Sequence, residues 1–163
     1  EKVMSTDASK SPGALCRMVL GTRPHWAGLV LRLTLAAVFL PHALQKVFGS
    51  FGGYGWSGTM GYLTGTIGLP TALAVLVILI EFLAPFALLL GLFTRGAAVG
   101  LIAVMLGAIK TVHEPNGFFM NRTGSQKGEG FEFHLLVIGM ALALLLSGAG
   151  CFSADRKFGG GGS

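Results

Sequence analysis

Four long apolar blocks run through the chain, separated by polar breaks marked with glycine or proline. They predict helices at 26–48, 70–93, 96–113 and 131–147. A bilayer core needs about 20 apolar residues per helix, and the blocks meet or approach that length. The predicted fold is all-α, an integral membrane four-helix bundle. Pro70 stands near the start of the second helix, where its missing N–H is tolerated. Pro85 should kink that helix. The break at Thr94-Arg95 is so short that helices two and three must be antiparallel neighbours. On the third helix, Gly96, Gly100, Ala103 and Gly107 recur at three- and four-residue steps, a small-residue stripe that lets another helix approach closely. Pro115 ends the third helix, and Gly148 and Gly150 stop the fourth.

The breaks differ in character. Residues 49–69 contain no charged side chain but hold Phe51, Tyr54, Trp56 and Tyr62. Such a segment suits the membrane surface or a partly re-entrant cover, and a connection this long is often functional. Residues 116–130 are polar and glycine-rich, with Arg122 and Lys127. Residues 1–24 read as a polar, basic tail, with a short interfacial turn over 15–20 and Trp26 as an anchor at the boundary. Neither the length of this tail nor that of the first block fits a cleavable signal peptide. Residues 25–155 form the transmembrane domain. Residues 156–163 form a C-terminal tail whose last stretch, Gly159 to Ser163, reads as an engineered flexible linker.

Composition supports the class. Hydrophobic residues make up 52% and charged residues 12%, and mean hydropathy is +0.70, whereas soluble domains carry about twice that charge. The net charge of +5 comes without a basic stripe interleaved with aromatics, so nucleic acid is not an expected partner. Instead the cations set orientation. Lys2, Lys10, Arg17, Arg23, Arg95, Arg156 and Lys157 share one side, against Lys46, Lys110, Arg122 and Lys127 on the other, which places both termini in the cytoplasm. Cys16 and Cys151 form no redox or metal-binding pair.

A charge at the bilayer centre costs at least ~2.5–3.5 kcal/mol, so each needs a partner or a purpose. Glu81 lies ~16 Å from either end of its helix, and Arg32 lies ~10 Å from the cytoplasmic surface. A long guanidinium side chain spans that difference in depth, which predicts a buried Arg32–Glu81 ion pair, either for packing or for handling a proton or ligand. A second constellation lies at the outer ends. His42, Gln45 and Lys46 share a face of the first helix. Lys110, His113 and Glu114 share one on the third, and Glu132 and His134 open the fourth. Together they suit a pocket for a polar head on an apolar tail, such as a quinone. Interfacial snorkelling and histidine bonds to loop carbonyls are the competing account. No metal site is expected, because no two histidines sit i, i+4 and no cysteine is near.

The stretch Pro41-His42-Ala43-Leu44-Gln45-Lys46-Val47-Phe48-Gly49 resembles the His-x-x-x-Lys-x-Phe-Gly signature of the DoxX family of membrane proteins. So do Leu-Pro before the second helix, Glu81 within it, Leu90 to Arg95 after it, His113-Glu114-Pro115-Asn116-Gly117-Phe118-Phe119, and Gly148 to Asp155. The chain departs from the pattern at Ala43, where glycine is more usual. The resemblance spans residues 28–155. It implies a four-helix fold in the bacterial inner membrane and a link to thiosulfate:quinone oxidoreductase or to oxidoreductase assemblies of oxidative-stress defence. It points to Arg32, His42, Lys46, Glu81, His113 and Asn116 as functional positions. With no flavin, iron–sulfur or thiol-redox motif, the expectation is a subunit without an intrinsic cofactor, with a possible quinone ligand and a partner protein that supplies electrons. The alternative is a non-catalytic scaffold that docks a partner; the expected partner is a second protein or another copy of this chain. A transporter is least favoured, since four short helices offer little lumen.

Overall fold

The computed structural model describes residues 20–159. Among these there is no strand. Six α-helices appear: α1 (Trp26–Phe48), α2 (Gly55–Gly61), α3 (Thr71–Leu90), α4 (Thr94–Ala108), α5 (Glu132–Ser147) and α6 (Ala154–Phe158). Four of them, α1, α3, α4 and α5, form an up-and-down bundle in which α1 packs on α3 and α5, and α4 packs on the same two. The basic tail and the 15–20 turn lie outside the described residues, apart from their last few positions, and so does most of the glycine linker.

Local chemistry sets the helix ends. The His25 Nδ1 accepts from the Gly28 N–H at 2.9 Å and caps α1. Gly49 ends it with φ of 73°, a left-handed turn that glycine adopts without strain. Gly91 does the same for α3 with φ of 59°. That helix therefore stops at Leu90, short of the expected Phe93, and Pro85 lies within it. α4 starts earlier than expected, at Thr94, because the buried Asp155 carboxylate accepts from the N–H groups of Phe93 and Thr94 at 2.6 and 2.9 Å. A carboxylate there satisfies orphan donors and faces the positive end of the helix dipole. α4 continues through a π turn (Ile109–His113) and a 3-10 turn (Glu114–Asn116), giving a helical run of 23 residues that ends at Pro115 and Asn116.

The core draws on every long helix: Leu35, Ala36 and Phe39 of α1, Ala84 and Leu88 of α3, Ala98, Leu101 and Met105 of α4, and Val137, Ala141 and Leu144 of α5. The outside is equally apolar. Val30, Leu83, Leu106, Leu136 and Leu146 are all exposed, an arrangement suited to acyl chains rather than water. α1, α3 and the 94–116 run are long and apolar enough to cross a membrane, and α5 is a shorter apolar helix of 16 residues. Thus the all-helical membrane bundle expected from the apolar blocks is the fold observed.

The 49–69 connection is not an open loop. A 3-10 turn (Ser50–Gly52), α2 and a π turn (Tyr62–Thr66) fold it over the far end of the bundle, opposite the near end where α1 begins. Its fastenings include Thr59 Oγ1 donating to the Lys46 carbonyl at 3.1 Å. Gly53 lies so close to Gln45 that a Cβ would stand 2.5 Å from its carbonyl oxygen.

Candidate functional site

The expected Arg32–Glu81 pair does not form. Arg32 is fully buried, yet it meets only backbone carbonyls. Its Nε donates to Ala149 at 2.8 Å, Nη1 to Leu88 and Leu89 at 2.9 and 3.4 Å, and Nη2 to Cys151 and Phe152 at 2.8 and 3.2 Å. Two of these carbonyls belong to the C-terminal turn of α3, where the helix dipole is negative. The planar five-donor guanidinium matches such a ring of acceptors. Arg32 is therefore a clamp joining α1, the end of α3 and the segment after α5.

Glu81 instead bonds Lys46, with Nζ 2.5 Å from Oε2. Lys46 sits in the last turn of α1, and its four-carbon stem carries the ammonium down to the mid-helix carboxylate. This buried carboxylate and its cation both line a cavity of about 530 Å³. The other walls are apolar: Leu73, Leu76, Val77 and Ile80 of α3, Ala103, Val104, Gly107 and Ala108 of α4, and Leu63 and Ile67 of the folded connection. Tyr62, Thr111 and His113 add polar atoms. The small-residue stripe therefore does not seat another helix along its whole length: Gly100 packs on Ile80, while Ala103 and Gly107 face the cavity.

His113 carries a defined tautomer. Its Nδ1 lies 2.8 Å from the Glu129 carbonyl oxygen, which can only accept, so Nδ1 bears the proton. In the neutral ring Nε2 is then an acceptor. His134 stacks on this ring, with centroids 4.0 Å apart. It is 7% exposed, and its Nδ1 has no partner among the described residues.

The other expected residues serve elsewhere. Asn116 donates to the Val112 and Glu129 carbonyls, both at 3.2 Å. Glu132 accepts from the Met120 N–H at 3.0 Å and lies 3.6 Å from Arg122. Both tie down the 117–131 loop. His42 and Gln45 bond each other at 3.3 Å on the surface, and Lys110 pairs with Glu114 at 2.8 Å, also exposed. None of these residues lines the cavity.

A match to the DoxX family covers residues 27–114. This chain belongs to the DoxX family. It is similar to "Inner membrane protein YphA" of Escherichia coli (strain K12), 28% identical over 79% of this chain and 88% of the relative. It is also similar to "Putative oxidoreductase CatD" of Bacillus subtilis (strain 168), 31% identical over 71% of this chain and 76% of the relative. No solved structure matches. With its apolar helices and these relatives, this DoxX protein is a multi-pass protein of the bacterial inner membrane.

Some features of this DoxX protein were not singled out from sequence. The Lys46–Glu81 contact crosses a depth gap that ideal helix counting does not predict, and only the length of the lysine stem hinted at it. Asp155 gave no signal beyond being an acid after a glycine-rich stop. Ala103 and Gly107 were visible as a stripe, but whether such a stripe holds a helix or leaves a space depends on the partner side chains.

Proposed function

We propose that this DoxX protein is a redox-linked membrane subunit that holds a quinone in the cavity between α3 and α4, with electrons supplied by a partner protein. One observation carries the reading: a largely apolar space of about 530 Å³ whose lining includes a buried carboxylate, the half-exposed lysine paired with it, and a histidine. Ligand pockets of this kind combine apolar walls with a few fixed polar groups. The Lys46 ammonium has three donors, one of them directed at Glu81, which leaves donors to hold a carbonyl oxygen. His113 Nε2 is matched to a hydroxyl, and on taking its proton becomes an imidazolium still held by the Glu129 carbonyl. A bound quinone would supply two-electron chemistry at a head group accessible from the lipid. The similarity to CatD, named as an oxidoreductase, supports a redox setting.

The test is extraction and mass spectrometry of quinone from protein purified in native lipid, compared with His113→Phe, which keeps a ring against His134. Quinone in the parent, reduced about tenfold in the variant, is expected. Folded parent protein that carries no quinone overturns the reading and leaves a non-catalytic scaffold as the better account.

A further inference from the structure

The cavity is not closed by protein on every side. Leu73 and Leu76, in its α3 wall, are 44% and 51% exposed. Across from them, Ala103, Gly107 and Thr111 are exposed as well. All five lie within the two helical runs that cross the membrane. The opening therefore faces acyl chains and not the aqueous phase.

The reason lies in the stripe on α4. Its half toward the near end is filled, since a Cβ on Gly96 would collide with the Phe93 ring and one on Gly100 would stand 2.9 Å from Ile80 Cγ2. Its far half is open, and a Cβ on Gly107 would meet nothing within 4 Å. Above the gap, Tyr62, Leu63 and Ile67 roof the space from the headgroup side.

Charge limits what can sit there. Lys46 is the lysine of the lining and Glu81 its carboxylate, and they are paired. An anionic head would gain the ammonium only by meeting the carboxylate at the same place, in a low-dielectric setting where like charges repel strongly. A neutral head with hydrogen-bonding oxygens has no such conflict.

We propose that this cavity loads sideways from the bilayer, through a mouth between α3 and α4 framed by Leu73, Leu76, Ala103 and Gly107. It selects an uncharged, long-tailed, membrane-dissolved molecule over an anionic amphiphile. This deepens the quinone reading and rests on it.

The experiment uses the full chain in nanodiscs containing a fixed fraction of a polyprenyl benzoquinone. It measures quinone retained per protein above that of protein-free discs. Gly107→Leu and, on the neighbouring turn, Ala103→Leu place a side chain in the mouth. Gly139→Leu is the control, since a Cβ there also meets nothing within 4 Å but lies outside the lining. Thermal unfolding of each variant checks the fold. We expect the mouth variants to retain at least tenfold less quinone, the control to match the parent, and equimolar oleate to displace none. Retention by both folded mouth variants equal to the parent overturns the lateral mouth while the quinone reading stands. Displacement by oleate overturns the selection for a neutral head. Absence of retained quinone in the parent overturns the quinone reading, and this inference falls with it.

Discussion

Arg32 is buried without a carboxylate because backbone carbonyls of two chain segments converge on its five donors. Removing it leaves several carbonyls unpaired at once, and each such loss costs about 1–3 kcal/mol. Arg32→Met should therefore destabilise the fold by about 3–5 kcal/mol. Arg32→Lys should rescue little, since a point ammonium cannot span that ring. Unfolding in mixed detergent measures both, and a loss under about 1 kcal/mol for Arg32→Met would contradict the clamp. Lys46 and Glu81 follow a different rule. Lys46→Met strands a buried carboxylate and should cost about 3–5 kcal/mol, whereas Lys46→Met with Glu81→Gln should recover most of it. A double-mutant cycle with coupling below about 0.5 kcal/mol would show that the pair does not act as one unit. That Glu81 and Arg32 each required compensation was legible in the sequence. The partners were not, because counting depth along ideal helices sees charged side chains and overlooks helix-end carbonyls.

The helices themselves were largely legible, since apolar blocks of the right length leave few other solutions in a bilayer. Their ends were not, because the decisive contacts come from far along the chain. Asp155 sets the start of α4 from 61 and 62 residues away, and no window centred on Thr94 contains it. Asp155→Ala should cost about 1–2 kcal/mol, the usual loss for a helix cap with a favourable dipole interaction. It should also raise amide hydrogen exchange selectively in the first turn of α4, while exchange in the middle of α5 stays at the parental rate. Uniform acceleration across the bundle would mean that Asp155 supports the whole fold rather than this helix start. The α4 stripe makes the same point about context. Gly100→Leu should destabilise by about 1–3 kcal/mol through the clash with Ile80, while Gly107→Leu, about two turns further on, should be nearly neutral for stability, since a Cβ there meets nothing within 4 Å.

At the scale of the molecule, ion pairing sharpens the charge asymmetry between the two ends. On the far side, Lys46, Lys110 and Arg122 each stand beside a carboxylate, Glu81, Glu114 and Glu132. On the near side, Arg23, Arg95, Arg156 and Lys157 outnumber Asp155, whose carboxylate is taken up by the α4 backbone. Positive residues flanking helices stay on the cytoplasmic side, so both ends of the chain should be cytoplasmic and the 117–131 loop external. A C-terminal green fluorescent protein fusion should fluoresce. In a background with Cys16 and Cys151 replaced, Ser125→Cys, on the exposed far loop, should be labelled in intact spheroplasts by a membrane-impermeant maleimide. A cysteine at Lys157 should be labelled only after the membrane is opened. The reverse pattern would put the roof of the cavity, residues 62–67, against the cytoplasmic leaflet. Because the proposed mouth lies in the same half of the bundle as that roof, the orientation also decides which leaflet would supply a bound quinone and on which side His113 would release its proton.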